Sequence, residues 1–243
     1  MSTRTPAEAL VEVDYPDSDG QPMAENTLQF RWIVTIQGGL DALFRDDPNV
    51  FVAGDLLWYP VEGDNRTRSA PDTMVVFGRP KGDRGSYMQW REAGIAPQVV
   101  FEVLSPGNRA GEMAAKRDFY ERFGVQEYYI LDPDEITIAG YLRENGKLRP
   151  IAELNGWVSP RLGIRFIVGT DLTILDPHGR PLESYTEVAR QRDEANQLAE
   201  RERRRADRVS EFAEQERLRA EQERLRAERL AAQLRALGME PES

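Results

Sequence analysis

Val99-Val100-Phe101-Glu102-Val103-Leu104-Ser105-Pro106, then a helical run from Arg109 to Phe123, then Gly124-Val125-Gln126-Glu127-Tyr128-Tyr129-Ile130-Leu131: this stretch decides the fold. The first piece is apolar and largely β-branched, and a Ser-Pro turn signal closes it. The middle piece carries Met113, Phe119, Tyr120 and Phe123 at helical spacing, with Gly124 where a helix C-cap sits. The last piece is strand-like again. Strand, helix, strand predicts an α/β or α+β domain.

Outward from this stretch the pattern continues. A helix is expected over Glu25–Phe44, where Leu28, Ile33, Ile36, Leu40 and Leu43 recur at three- and four-residue spacing. Further strands are expected at Phe51–Ala53, Leu56–Val61, Thr73–Phe77, Ile136–Leu142 and Leu148–Glu153, with short ones at Ile164–Val168 and Leu172–Leu175. Asn145-Gly146 between two such runs signals a hairpin. Residues 1–22, with Pro6, Pro16, Gly20 and Pro22 among charges, read as a flexible segment. The expected division is 1–22, a domain over 23–180, a long charged helix over 181–237 and a tail over 238–243.

That last helix is rich in Glu, Arg, Ala and Leu and would be about 75 Å long. The heptad EQERLRA occurs in tandem at 214–220 and 221–227. Pairs such as Glu214–Arg217, Glu216–Arg219, Glu221–Arg224 and Glu223–Arg226 support it locally. Leu218 and Leu225 share a seam position, but three residues later stand Glu221 and Glu228. The seam improves at Leu230, Leu234 and Leu237. A solvated charged helix and a dimerising coiled coil both remain open.

Composition narrows the chemistry. The 243 residues contain no Cys and one His, His178. Disulfides, Cys-based zinc sites, Cys nucleophiles and Ser-His-Asp triads are excluded or disfavoured. Any metal must sit on carboxylates and carbonyls, which suits magnesium, manganese or calcium. There is no apolar run long enough to span a membrane and no signal-peptide core, and the expected location is cytoplasmic. Residues 1–186 hold 19 basic and 28 acidic residues, so the net charge of −10 belongs mainly to the globular part. An acidic body counts against simple nucleic-acid binding.

Glu102 interrupts an apolar strand. Left unpaired in such a place a carboxylate costs several kcal/mol, so it needs a partner, a metal or a cleft. Asp72 opens another strand after Pro71. Alone it reads as turn punctuation, but with Glu102 it makes a carboxylate pair able to hold a hard divalent ion. Lys116 lies on the apolar stripe of the helix after Glu102. Glu102 is about 10 Å back along its strand and Lys116 about 10.5 Å along its helix, so a doubled-back helix brings them to similar depth.

Ser69-Ala70-Pro71-Asp72, Val75-Val76-Phe77, Phe101-Glu102-Val103-Leu104-Ser105-Pro106, Lys116…Tyr120, Gly124-Val125-Gln126-Glu127-Tyr128-Tyr129 and Leu131-Asp132-Pro133 together resemble the Uma2 family. That family is of restriction-endonuclease-like proteins in the PD-(D/E)xK nuclease superfamily. The resemblance covers residues 20–175. It implies a mixed sheet flanked by helices and metal-dependent hydrolysis of DNA phosphodiesters. Asp72 matches the PD aspartate and Glu102 the (D/E) position. Position 104 is Leu where the superfamily's lysine would stand, and Lys116 is the migrated candidate. The implied magnesium (or manganese) ligands are Asp72, Glu102 and the carbonyl of Val103, with Glu25 as an outer ligand. Glu25 also reads simply as a helix-N-terminal acid. Ser105 reads as a turn residue before Pro106. DNA is the implied partner, no membrane is expected, and a homodimer could form through the nuclease domain or the C-terminal helix.

Two other readings stay open. One is a nuclease fold without catalysis, acting in binding or assembly through its C-terminal helix. The other is a carboxylate-pair glycosidase, though Trp32, Trp58, Trp90 and Trp157 are scattered. The loop Gly78–Gly94, with Arg79, Lys81, Arg84 and Arg91, reads as a solvated surface loop or a phosphate contact.

Overall fold

A computed structural model describes residues 13–18, 20, 22–107 and 110–236. Residues 1–12, Arg109, Leu237 and the tail 238–243 lie outside these described residues. The chain divides into two compact units, Met1–Tyr185 and Thr186–Ser243.

In the first unit β1 (Val50–Ala53), β3 (Thr73–Phe77), β5 (Val99–Val103), β6 (Glu127–Asp132), β7 (Thr137–Glu144) and β8 (Lys147–Pro150) form one six-stranded sheet. The order is β1-β3-β5-β6-β7-β8. β5 and β6 run parallel, and all other neighbours are antiparallel. Parallel neighbours need a crossover, and α2 (Ala110–Phe123) supplies it. β2 (Trp58–Tyr59) and β4 (Tyr87–Met88) make a small parallel pair, and β9 (Arg165–Val168) and β10 (Leu172–Leu175) an antiparallel one. This is the mixed sheet flanked by helices that the sequence predicts.

Every residue of β5 is buried, as befits a strand covered on both faces. On one face Val99, Phe101 and Val103 pack with Ile33, Ile36 and Leu40 of α1 (Thr27–Leu43) and with Phe166 and Ile174. On the other, Val100 packs with Met74, Val76, Tyr128, Trp58 and Tyr120 of α2. Alternation along β5 therefore puts Glu102 on the α2 side. α1 is capped by Asn26, whose side chain accepts the Gln29 N–H at 2.8 Å. Asn145 and Gly146 both have positive φ, 48° and 79°, as a two-residue hairpin turn requires. β8 closes the sheet with Lys147, Arg149 and Pro150, residues that blunt an exposed edge.

Two expectations gain detail. Residues 14–16, in the segment read as a flexible leader, make specific contacts with the domain. Tyr59 donates to the Pro16 carbonyl at 2.6 Å, and Asn65 to that of Asp14 at 2.7 Å. Tyr15 lies edge-on to Tyr59. The Gly78–Gly94 loop is not simply solvated. Arg79 and Arg84 each reach Glu92 at 2.7 Å, Lys81 pairs with Asp41 at 3.1 Å, and the loop contains β4 and a 3-10 turn at Gln89–Arg91.

In the second unit α3 (Tyr185–Ala236) runs 52 residues with none buried. Its ion pairs include Glu216–Arg219 at 2.9 Å, while Arg224 turns to Glu228 at 3.3 Å rather than to Glu221. Among the described residues no helix is long and apolar enough to cross a membrane.

Candidate active site

Glu102 is 1% exposed and sits one residue before the end of β5. Its burial is compensated from one direction, α2. Lys116 donates to Oε2 at 2.7 Å, and Tyr120, one helical turn later, donates to Oε1 at 2.5 Å. The Tyr120 ring is itself fixed, stacked on Trp58 and edge-on to Tyr128. Its hydroxyl also meets Ser69 Oγ at 3.0 Å. Burial lifts the Glu102 carboxyl above its ordinary range, against the pull of Lys116 and Tyr120. Burial works to lower the Lys116 ammonium, but the Glu102 carboxylate holds it above its ordinary value.

Asp72 stands just before β3, the antiparallel neighbour of β5. Its Oδ2 accepts the Val103 N–H at 2.6 Å, which ties the two carboxylate-bearing segments together. Burial, then the nearby Glu102 charge, pushes its carboxyl up to about 8. The Val103 N–H and, after it, Lys116 act in the opposite direction and do not offset both.

Glu25 lines the same cleft as Asp72 and has a partner of its own. Its carboxylate accepts from Ser105 Oγ and lies against Gly107, where a Cβ would overlap it. It thus latches the turn from β5 into α2, and Ser105 is a bonded partner rather than only a turn residue. The Val103 carbonyl accepts from Gln29 Nε2 at 2.8 Å, which leaves its second lone pair.

Asp72, Lys116, Glu25, Gln29, Asp55, Glu112 and Arg68 line one open cleft of about 600 Å³. Hard oxygen donors dominate it. Among the described residues no group of three His, Cys, Asp or Glu side chains is gathered as for a metal ion. Asp72, Glu102 and the Val103 carbonyl still fit a magnesium-type ion, which keeps several waters and takes one or two carboxylates. Such an ion would favour the ionised form of Asp72, which burial and Glu102 oppose.

Two buried polar residues escaped the sequence reading. Gln29 is 6% exposed on the buried stripe of α1 and also accepts the Glu25 N–H at 2.8 Å. Glu127 opens β6, accepting from Tyr129, Ser159 and the Arg161 N–H. Both carry the signal that marked Glu102, a polar side chain on an apolar face. Glu127 serves the 159–161 turn, away from the cleft.

Against known proteins, no curated protein matches the chain. Five chains of solved structures match. One is a crystal structure of "a putative nuclease belonging to DUF820 from Anabaena variabilis ATCC 29413". It is 17% identical, with 59% of this chain and 78% of that chain covered and a TM-score of 0.41. A family model described as "Putative restriction endonuclease" matches residues 12–165, well over half of the sequence and including Asp72, Glu102 and Lys116. The chain belongs to the Uma2 family.

Proposed function

We propose that the protein is a divalent-metal-dependent endonuclease that hydrolyses DNA phosphodiester bonds. The observation that carries this reading is the buried Glu102 carboxylate, held by Lys116 and Tyr120, with Asp72 tied to the same strand through the Val103 N–H. The family's description adds the substrate class.

Asp72, Glu102 and the Val103 carbonyl would hold magnesium or manganese. The ion, when bound, supplies positive charge against the charge that develops on the phosphate and makes water a better nucleophile. Tyr120 fixes one oxygen of Glu102 and Lys116 the other, so the carboxylate cannot turn away. Lys116 has three N–H donors and spends one on Glu102. An ammonium held above its ordinary range has no lone pair at neutral pH. Lys116 therefore orients water and offsets phosphate charge rather than taking the proton. Glu25, through Ser105 and Gly107, holds the start of α2 and so sets where Lys116 and Tyr120 stand.

The test is cleavage of plasmid and single-stranded DNA with magnesium or manganese, wild type beside Glu102→Gln. Cleavage that needs the metal and is lost in the variant supports the reading. Equal behaviour of both proteins across substrates and metals sinks it.

One observation favours an additional role in assembly: α3 buries nothing while exposing Leu198, Val209, Phe212, Leu218, Leu225 and Leu230. On this reading a second copy covers those residues, and the protein is a homodimer in the cytoplasm. Sedimentation at several concentrations decides it, a monomer throughout removing the idea.

A further inference from the structure

The cleft has a charge problem. Glu25, Asp55, Asp72 and Glu112 line it, against two cations, Lys116 and Arg68. Lys116 shares its charge with the buried Glu102. A polyanionic strand that enters must find positive charge from another side chain as well as from any metal.

Arg68 is built to provide it. Its backbone is fixed next to Ser69, which exchanges two hydrogen bonds with Trp58 at 2.8 and 3.2 Å. Its side chain is only half-buried, and it has no carboxylate partner among the described residues. The contacts of its guanidinium are long, with Nη1 at 3.4 Å from both Tyr59 OH and the Asn65 carbonyl. At that distance they orient the group without consuming it. A guanidinium offers five N–H donors in a planar fork that matches two oxygens of a phosphate. In the Gly78–Gly94 loop Arg79 and Arg84 share Glu92 and Lys81 takes Asp41, while Arg91 lines a different pocket, with Asp17 and Met88.

We propose that Arg68 anchors the substrate, taking two non-bridging oxygens of a backbone phosphate in the strand that lies along the cleft next to Asp72 and Lys116. This rests on the nuclease reading and adds a binding residue that neither the family match nor the carboxylate pair assigns. It makes Arg68 a residue of affinity rather than of chemistry. Its loss acts on Kd and KM and leaves kcat nearly intact.

The experiment is binding of a fluorescent duplex and a fluorescent single strand to the full chain, followed by anisotropy with calcium over a range of salt. Cleavage with magnesium is run in parallel. Wild type is compared with Arg68→Gln, Arg68→Lys and Arg66→Gln, the last removing an exposed charge two residues away that does not line the cleft. Arg68→Gln is expected to bind about tenfold more weakly, as for loss of a charge-assisted pair. It should also flatten the plot of log K against log salt by about 0.7 to 0.9, the value of one phosphate contact. Arg68→Lys should recover the slope and only part of the affinity, and Arg66→Gln should change neither. Inorganic phosphate at millimolar concentration should not displace the strand; if it does so, the site is for free phosphate and the strand assignment falls. If Arg68→Gln matches wild type in affinity and slope while wild type cleaves, the anchor is wrong and the nuclease reading stands. If wild type neither binds nor cleaves, the nuclease reading fails and takes the anchor with it.

Discussion

Lys116 Nζ stands 2.7 Å from Glu102 Oε2, with the Glu102 side chain 2% exposed and that of Lys116 24%. The helix doubles back over the strand it follows and delivers a cation to a buried carboxylate. Lys116→Met should therefore lower stability by about 1–3 kcal/mol, because the partner left behind is buried and unpaired. It should also reduce DNA cleavage by about a hundredfold or more, as for loss of a donor aimed at developing charge. Thermal melts and plasmid nicking read the two effects. A melt that overlays wild type would mean the ion pair does not form.

Asp72→Asn should have the opposite effect on stability. Folding takes this carboxyl out of water and sets it beside Glu102, which pushes it up to about 8, so at pH 7 an ionised Asp72 has to take up a proton as the chain folds. An amide of the same shape keeps an acceptor for the Val103 N–H and removes that cost. We expect a melting temperature several degrees above wild type without divalent ions. Manganese should raise the wild-type melt and leave the variant unmoved. A variant that melts lower without metal would contradict this account of the charge.

Glu92 gives a pH signature far from the cleft. Burial works to raise its carboxyl, but the bonds from Arg84 and Arg79 outweigh it and hold it below its ordinary value of 4.5. A carboxylate lowered on folding stabilises the protein above its unfolded value, and this is lost as pH falls through the folded one. Glu92→Gln should cost about 1 kcal/mol at pH 7, and the gap to wild type should close as pH falls below about 4.5. Melts of both proteins across pH 3–7 check it; a constant gap would deny the role of charge.

Gly107 and Glu25 should be coupled. A methyl at 107 overlaps the Glu25 carboxylate, which is the end of a flexible side chain and can swing away at the expense of Ser105. Gly107→Ala should cost stability in the wild-type background and close to nothing when Glu25 is already Ala. A double-mutant cycle by urea unfolding reads the difference. Strict additivity would show that the latch is not there.

The long helix should be dispensable to the first unit's stability. No residue of α3 is buried, whereas Leu182 just before it packs in the core. A chain ending at Ser184 should melt within about 2 °C of the full one, since little apolar area is lost. A large drop would show that residues 23–180 are not a self-sufficient domain.

What could be read in advance follows the range of the interaction. Thr73–Phe77 and Leu172–Leu175 are found at their expected bounds, and both helices of the first unit within about two residues, because apolar periodicity is local. Tyr87–Met88 is too short to show a period and joins Trp58–Tyr59 across 29 residues of chain. Glu102 was legible as a misfit in its strand. Its two partners were legible only as one, because the Tyr120 ring reads as core from spacing alone and the hydroxyl's target comes from the crossover. Likewise the guanidiniums of Arg79 and Arg84 look free until Glu92 folds back under them.

The crossover has a consequence for how the protein is made. The cleft draws its walls from 22–29, 55, 68–72 and 112–119, and α2 spans from β5 to its parallel neighbour β6. A chain growing on the ribosome holds Asp72 and Glu102 early, but Glu102 has no bracket until Lys116 and Tyr120 have emerged and β6 has given their helix a place to land. The paired carboxylates and their helix partners thus come together as a late product of synthesis, once strand 127–132 is out and paired.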